Sequence, residues 1–157
     1  MKKIKLTQGQ VALVDNEDYE CLNKLKWYTM NNRNKIIPVC FENGIMKKMS
    51  RLIMYPIPDD LQIDHINGDP SDNRRSNLRL CTNQQNAQNR GAQANNKSGY
   101  KGVSWHKHSK KWQSQIKAND KVIPLGYFDD PIDAAKTYNE AAIKYHGEFA
   151  RINIIDD

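Results

Sequence analysis

The chain of 157 residues carries 24 lysines and arginines against 18 aspartates and glutamates, a formal charge of +6, and is 38% apolar. That length suits one ordinary domain or two small ones, and 3 Trp, 7 Tyr and 3 Phe are too many aromatics for a disordered chain. No run approaches a membrane span, and the start M-K-K-I-K-L-T-Q has neither the apolar stretch nor the cleavage site of a secretory signal, so a cytoplasmic protein is expected.

Residues 1–57 alternate in short runs. V-A-L-V at 11–14, K-W-Y-T-M at 26–30 and I-I-P-V-C-F at 36–41 predict strands, separated by turn clusters at Asp15-Asn16 and Asn31-Asn32. Asn43-Gly44 predicts a tight hairpin turn. M-S-R-L-I-M-Y at 49–55 fits a strand or a short helix equally well. Next, Q-I-D-H-I-N-G-D reads as a short strand entering a turn and D-N-R-R-S-N-L-R-L-C as a loop entering a strand. Thr82 is a suitable N-cap for a short helix. The small polar residues at 92–98 predict a linker.

Three further strands are predicted at 100–105, 112–118 and 121–128, the last two joined at Asn119-Asp120. A helix follows, with Asp130 as N-cap, Pro131 at its first position and Gly147 beyond its end. Ile132, Ala135, Ala142 and Tyr145 fall on one face, which predicts a helix covering one side of a three-stranded sheet. Trp105, Trp112, Tyr127, Phe128 and Tyr138 are assigned to the core of this unit. Its charge is divided: residues 99–121 hold six basic groups and one acidic, residues 122–157 three and seven. The basic segment lies on the predicted strands, which points to the free sheet face as a surface for a polyanion. Cys21, Cys40 and Cys81 lie far apart without a C-x-x-C pair, so they read as small buried hydrophobes.

Between these regions, Asp64-His65 ends one short strand and Asn86 lies on the following helix. A carboxylate, an amide oxygen and an imidazole form a hard donor set suited to Mg2+ or Mn2+ and not to Zn2+. Asp69, Ser71 and Asn73 have the spacing of a calcium loop, but Arg74 and Leu80 stand where such a loop needs Gly and Glu.

The run D-H-I-N-G-D-x-x-D-N-R-R-S-N-L-R-x-x-T-x-x-Q-N-x-x-N-R, from Ile63 to Arg90, resembles the HNH (ββα-metal) nucleases, in the phage and intron homing-endonuclease branch whose last motif residue is Asn. The resemblance implies that Asp64 and Asn86 hold one divalent metal, that His65 is the general base, and that Asn77 ties the loop together and orients His65 through backbone contacts. Arg74, Arg75 and Arg79 within the motif are assigned to DNA, while Gln85 and Asn89 either cap the helix or contact phosphate. Upstream, the family's M-H-R-L is Met49-Ser50-Arg51-Leu52 here, so a supporting His is replaced by Ser50.

Residues 98–153 contain G-Y-K-G-V-S-W, W-Q-S-Q-I-K, L-G-Y-F and A-A-x-x-Y-N-x-A-A-x-x-x-H-G-x-x-A-x-x-N. They resemble the apetala-two/ethylene-response-factor DNA-binding domain, which phage and intron endonucleases often carry behind an HNH module. That family lays a three-stranded sheet in the DNA major groove. Its contact positions fall on Lys101, Ser104, His106, Gln115, Lys117 and Val122, with Lys107, Lys110 and Lys111 as phosphate contacts. Ser104, Val122 and Pro124 depart from the plant pattern, so the G·C-rich preference of plant members is not carried over.

The expected architecture is α+β: a β-rich arm and ββα-metal module over residues 1–91 (motif 63–90), a linker at 92–98, and a sheet-on-helix domain over 99–154. The expected function is that of a metal-dependent, site-directed DNA endonuclease of homing type, leaving 5′-phosphate and 3′-hydroxyl ends. A monomer with one active site favours nicking, whereas a dimer could cut both strands. Its expected partners are double-stranded DNA and one Mg2+ or Mn2+, without a membrane or a small-molecule cofactor, in a phage- or mobile-element-encoded protein acting in a bacterial host. The alternative is a non-catalytic DNA-binding regulator with an inactive HNH scaffold.

Overall fold

A computed structural model describes residues 1–32 and 35–155. The chain folds as two compact units, Met1–Asn86 and Ala87–Asp157. The architecture is mixed, with four small antiparallel sheets and four short to medium α-helices among the described residues. None of these helices is long and apolar enough to cross a membrane.

The first unit begins with a strand beyond those predicted above. β1 (Lys2–Lys5) pairs antiparallel with β2 (Val11–Val14), and the alternation of K-K-I-K drives Ile4 inward. Asp15-Asn16 is not a turn but the start of helix α1 (Asn16–Leu22), which Asp15 precedes in extended conformation. Glu17 and Asp18 stand in the first turn, where the helix dipole favours acidic groups. β3 (Tyr28–Asn32), β4 (Lys35–Glu42) and β5 (Ile45–Lys48) form a meander, so Asn31-Asn32 ends a strand and is not itself a turn. Asn43-Gly44 makes the predicted tight turn, with φ of 51° and 77°. The ambiguous segment forms helix α2 (Met49–Ile53), which buries Met49 and Ile53. The core gathers Ile4, Val14, Trp27, Cys40, Met49 and Leu78. Trp27 satisfies its indole N–H on the Leu22 carbonyl at 2.8 Å. β6 (Gln62–His65) and β7 (Leu78–Cys81) form a two-stranded ribbon, followed by helix α3 (Asn83–Gln88).

In the second unit β8 (Val103–His106), β9 (Lys111–Ala118) and β10 (Lys121–Phe128) form an antiparallel sheet with β9 in the centre. Asn119 and Asp120 both adopt positive φ, as a tight hairpin turn requires. Helix α4 (Pro131–His146) starts as predicted, Asp130 accepting from the Ile132 N–H at 2.7 Å. Its buried stripe runs through Ala134, Ala135, Tyr138, Ala141, Ala142 and His146. Tyr145 is exposed, because the small alanines let the helix approach the sheet and turn the bulkier side chain outward. Gly102 permits this approach: a Cβ there would stand 2.0 Å from the Tyr138 ring. Trp105 and Tyr127 are also exposed (46% and 48%), against their core assignment. Trp105 lies on the short edge strand and packs edge-on against Trp112, and Tyr127 lies on the face away from α4. Nor is residue 98 loose linker, since the Ser98 hydroxyl bonds the Tyr100 and Val103 carbonyls at 3.1 and 2.9 Å. Cys40 and Cys81 are buried, while Cys21, on α1, is exposed.

Candidate active site

The β6–β7 register decides which motif side chains share a face. Asp64 stands directly opposite Arg79, and His65 opposite Leu78. Alternation puts Gln62 and Asp64 on one face and Ile63 and His65 on the other. The Asn86 side-chain amide donates to Gln62 Oε1 at 2.9 Å. Gln62 thereby tethers α3 to the face that carries Asp64. Thr82 and Gln85 start this helix reciprocally: the Gln85 N–H donates to Thr82 Oγ1 at 3.2 Å, and the Thr82 N–H to Gln85 Oε1 at 2.8 Å. Gln85 is therefore a cap.

Asp64 is 6% exposed and receives the Arg79 guanidinium from across the ribbon at 2.8 and 2.9 Å, both bonds on Oδ2. A carboxylate this buried needs such a partner. The Arg79 side chain is itself only 11% exposed, so it faces Asp64 and does not reach outward to DNA as expected. Arg74 grips Asp72 through two bonds of 2.7 and 2.6 Å, and Arg75 grips Asp18 at 2.9 and 2.7 Å. Arg74, Arg75 and Arg79 thus hold the unit together, because the loop, α1 and the opposite strand each bring an acidic group to one of them.

Asn77 bonds across the loop between β6 and β7. Its Oδ1 accepts from the Asn67 N–H at 3.0 Å, and its Nδ2 donates to Asn67 Oδ1 and the Asp72 carbonyl. Its own carbonyl accepts from the Ile66 N–H at 2.9 Å, just beyond His65. A different side chain, Asn73, touches the imidazole: its Oδ1 lies 3.3 Å from His65 Nε2. His65 and Asn73 line a small cavity of about 130 Å³ together with Lys48, Ser50 and Ile63. Burial pushes the His65 imidazole below its ordinary value, outweighing the Asn73 bond and the Asp64, Asp69 and Asp72 charges, which act upward. A neutral imidazole at pH 7 can accept a proton.

Among the described residues no group of three His, Cys, Asp or Glu side chains could hold a metal. The donors present are one carboxylate, Asp64, and one amide oxygen on Asn86, whose nitrogen is committed to Gln62. Such a pair suits a hard cation that retains water and takes its remaining ligands from a phosphate.

In the second unit, β-strand register gathers a different set. Ser104 and His106 on β8, Lys111, Gln115 and Lys117 on β9, and Val122 on β10 all lie on the face opposite α4, joined by Gln113, Pro124 and Tyr127. Ser114, Ile116 and Ala118 alternate with them and are buried. Lys107 and Lys110 stand exposed in the turn between β8 and β9. Lys101 is not on this face: its ammonium donates to the Gln88 carbonyl, and its backbone N–H to Asn153 Oδ1 at 2.7 Å.

Comparison with known proteins agrees with the first unit's motif. Residues 54–88 match the family model for an HNH endonuclease. A protein of Acanthamoeba polyphaga mimivirus described as an uncharacterized HNH endonuclease is 30% identical over 153 residues, covering 95% of this chain and 78% of that protein. Protein 3.8 of Escherichia phage T7 is 33% identical over 96 residues, 61% of this chain and 78% of its own. An AP2-like ethylene-responsive transcription factor of Arabidopsis thaliana is 38% identical over 58 residues, 37% of this chain but 12% of that protein. No solved structure matches.

Proposed function

We propose that this chain, which belongs to the HNH endonuclease family, hydrolyses one phosphodiester of double-stranded DNA at the end of the β6–β7 ribbon. Membership makes it a nuclease; the roles of its residues are our reading. The observation that carries the reading is the pairing of a buried carboxylate, Asp64, with a neighbouring neutral imidazole, His65, while the Asn86–Gln62 bond draws a second oxygen donor to the Asp64 face.

Asp64 and Asn86 Oδ1 would hold one Mg2+ or Mn2+. When bound, the ion stabilises charge on the scissile phosphate and the leaving 3′-oxygen. His65 removes the proton of the attacking water as it adds to phosphorus and the bond from phosphorus to the 3′-oxygen breaks; the leaving oxygen takes a proton from solvent, which gives a 5′-phosphate and a 3′-hydroxyl. Arg79 balances the buried Asp64 charge, and Asn77 holds the loop that follows the base. One centre per chain favours a nick in a monomer. Arg74 and Arg75, whose side chains remain 37% and 47% exposed, also present positive charge to the phosphate backbone.

For the second unit, the reading is an apetala-two-like module whose outer sheet face enters the major groove and directs the nuclease to its site. The single face shared by Ser104, His106, Lys111, Gln115 and Lys117 supports it, together with Lys107 and Lys110 at its rim.

Supercoiled plasmid carrying the element's own insertion locus, incubated with and without Mg2+, tests the reading. The wild type should produce relaxed circles only with metal, and His65→Ala should lose about 10²–10⁴-fold in rate. Binding without any cutting would favour a non-catalytic regulator.

A further inference from the structure

We propose that Asn73 is the positioning residue for His65, fixing the ring so that Nε2 carries the hydrogen and Nδ1 the lone pair. The inference rests on the nuclease reading above and sharpens it to one nitrogen atom.

Asn73 is 1% exposed, and both ends of its amide are engaged. Nδ2 donates to the Pro70 carbonyl at 2.9 Å, and Oδ1 lies 3.3 Å from His65 Nε2. A carbonyl oxygen only accepts, so the Pro70 contact settles which end of the amide is nitrogen. The other end is then oxygen, which also only accepts. The His65 nitrogen facing it must therefore be the donor. A neutral imidazole has a single N–H, so the basic nitrogen is Nδ1.

The backbone around Asn73 is held as firmly as its side chain. Its N–H donates to the Leu13 carbonyl at 2.8 Å, and the Leu13 N–H donates to the Ser71 carbonyl at 2.9 Å. Leu13 and Asp72 thus form a parallel bridge, which clamps the loop to β2. One residue away, Asp72 is held by Arg74 and by the Asn67 amide at 3.0 Å. The β-rich arm acquires a task from this arrangement: it anchors the loop that aims the imidazole. Few other side chains meet both demands. Aspartate has no donor for Pro70, leucine has neither group, and serine is too short to span the two partners.

The test uses the full chain and three variants, Asn73→Ala, Asn73→Leu and Asn73→Asp. Nitrogen-15 correlation spectra of the histidine rings, recorded without metal at pH 8 and assigned with His65→Gln, report the tautomer. Single-turnover nicking of plasmid in Mg2+ reports the rate, and a binding isotherm reports DNA affinity. Expected are an Nε2–H tautomer for His65 in the wild type, mixed tautomers in Asn73→Ala and Asn73→Leu, and a loss of about 10- to 100-fold in nicking rate at unchanged DNA affinity. Asn73→Asp keeps an acceptor toward the ring and should restore the Nε2–H signal, even if truncation to Ala unfolds the loop. An Nδ1–H tautomer in the wild type overturns the proposal, as does full-rate nicking by Asn73→Ala. A wild type that leaves all DNA intact overturns the nuclease reading instead, and the ring spectra separate that failure from this one.

Discussion

Asn86 donates its side-chain amide to Gln62 Oε1 at 2.9 Å, and Gln62 shares a strand face with Asp64 two residues further on. The short helix α3 has six residues and buries none of them, so packing alone would hold it weakly against the ribbon. A single side-chain bond supplies part of that attachment and also orients the Asn86 oxygen. On the proposed reading Gln62 would support the Asp64–Asn86 metal pair, although it lies outside the family motif as read from the sequence.

Gln62→Leu should therefore lower Mn2+ affinity by about 10- to 100-fold while costing only about 1 kcal/mol of stability. Calorimetric titration with Mn2+, paired with urea unfolding, separates the two effects. An unchanged metal affinity would remove Gln62 from the site.

Arg79→Met leaves the Asp64 carboxylate buried without its cross-strand partner and should destabilise the first unit by about 3–5 kcal/mol. Replacing both residues with leucine should cost less than the single change, because no buried charge remains. Mg2+ should recover part of the loss in Arg79→Met and none in the double variant. Urea unfolding with and without Mg2+ checks all three outcomes.

Gly102→Ala sets a Cβ 2.0 Å from Tyr138 Cδ2 and 2.8 Å from the Gln115 carbonyl, at a φ of +77°. Overpacking and the left-handed backbone together should cost about 2–5 kcal/mol. Thermal unfolding followed by tryptophan fluorescence would show it through Trp105 and Trp112, and cutting at saturating DNA should fall much less than binding.

Burial, with the nearby Arg151 charge, pushes Lys101 down to about 8 from 10.5. In the unfolded chain the ammonium keeps its proton up to the higher value, whereas in the fold it releases it from about 8. The unfolded state thus binds more protons between these limits, and the contribution of Lys101 to stability rises with pH from about 8 to 10.5. Wild type and Lys101→Met should diverge across that window and run parallel below pH 7. Urea midpoints at half-unit pH steps measure the difference.

Lys117→Ala removes an exposed cation from the outer sheet face, near the β9–β10 turn. It should weaken DNA binding and reduce the slope of log affinity against log salt by about 1. Lys101→Met, off that face, should leave the slope unchanged. Equal slopes for wild type and Lys117→Ala would move DNA away from the sheet.

Much of the local structure could be read from neighbouring residues. Asp130 and Pro131 predict the start of α4, Asn43-Gly44 and Asn119-Asp120 the tight turns, and Thr82 the start of α3, because caps and turns are contacts within a few residues. The helix α1 escaped because Asp15 and Asn16 serve equally well as turn residues and as a helix start. What decided between them was the burial of Leu22 in a core assembled from distant strands. The exposure of Tyr145, against the predicted stripe, has a similar origin: helical spacing alone does not tell which side meets the sheet.

The candidate site divides along the same line. The order and spacing of Asp64, His65, Asn77 and Asn86 were enough to identify an HNH motif, since chemistry of that kind is written in residue types along one short segment. The destinations of Arg74, Arg75 and Arg79 were not, because each depends on a carboxylate supplied by the loop, by α1 or by the opposite strand. The same holds for Asn73 and Leu13, joined by a backbone bond across a long stretch of sequence. Sequence by itself determined that an HNH motif is present and that a basic segment lies on strands. Only the tertiary structure decided which charges face inward, which lysines share the outer sheet face and which amide holds the histidine. The physical reason is that hydrogen bonds and ion pairs depend on distance in space, and strand register and chain packing, not position in the chain, set that distance.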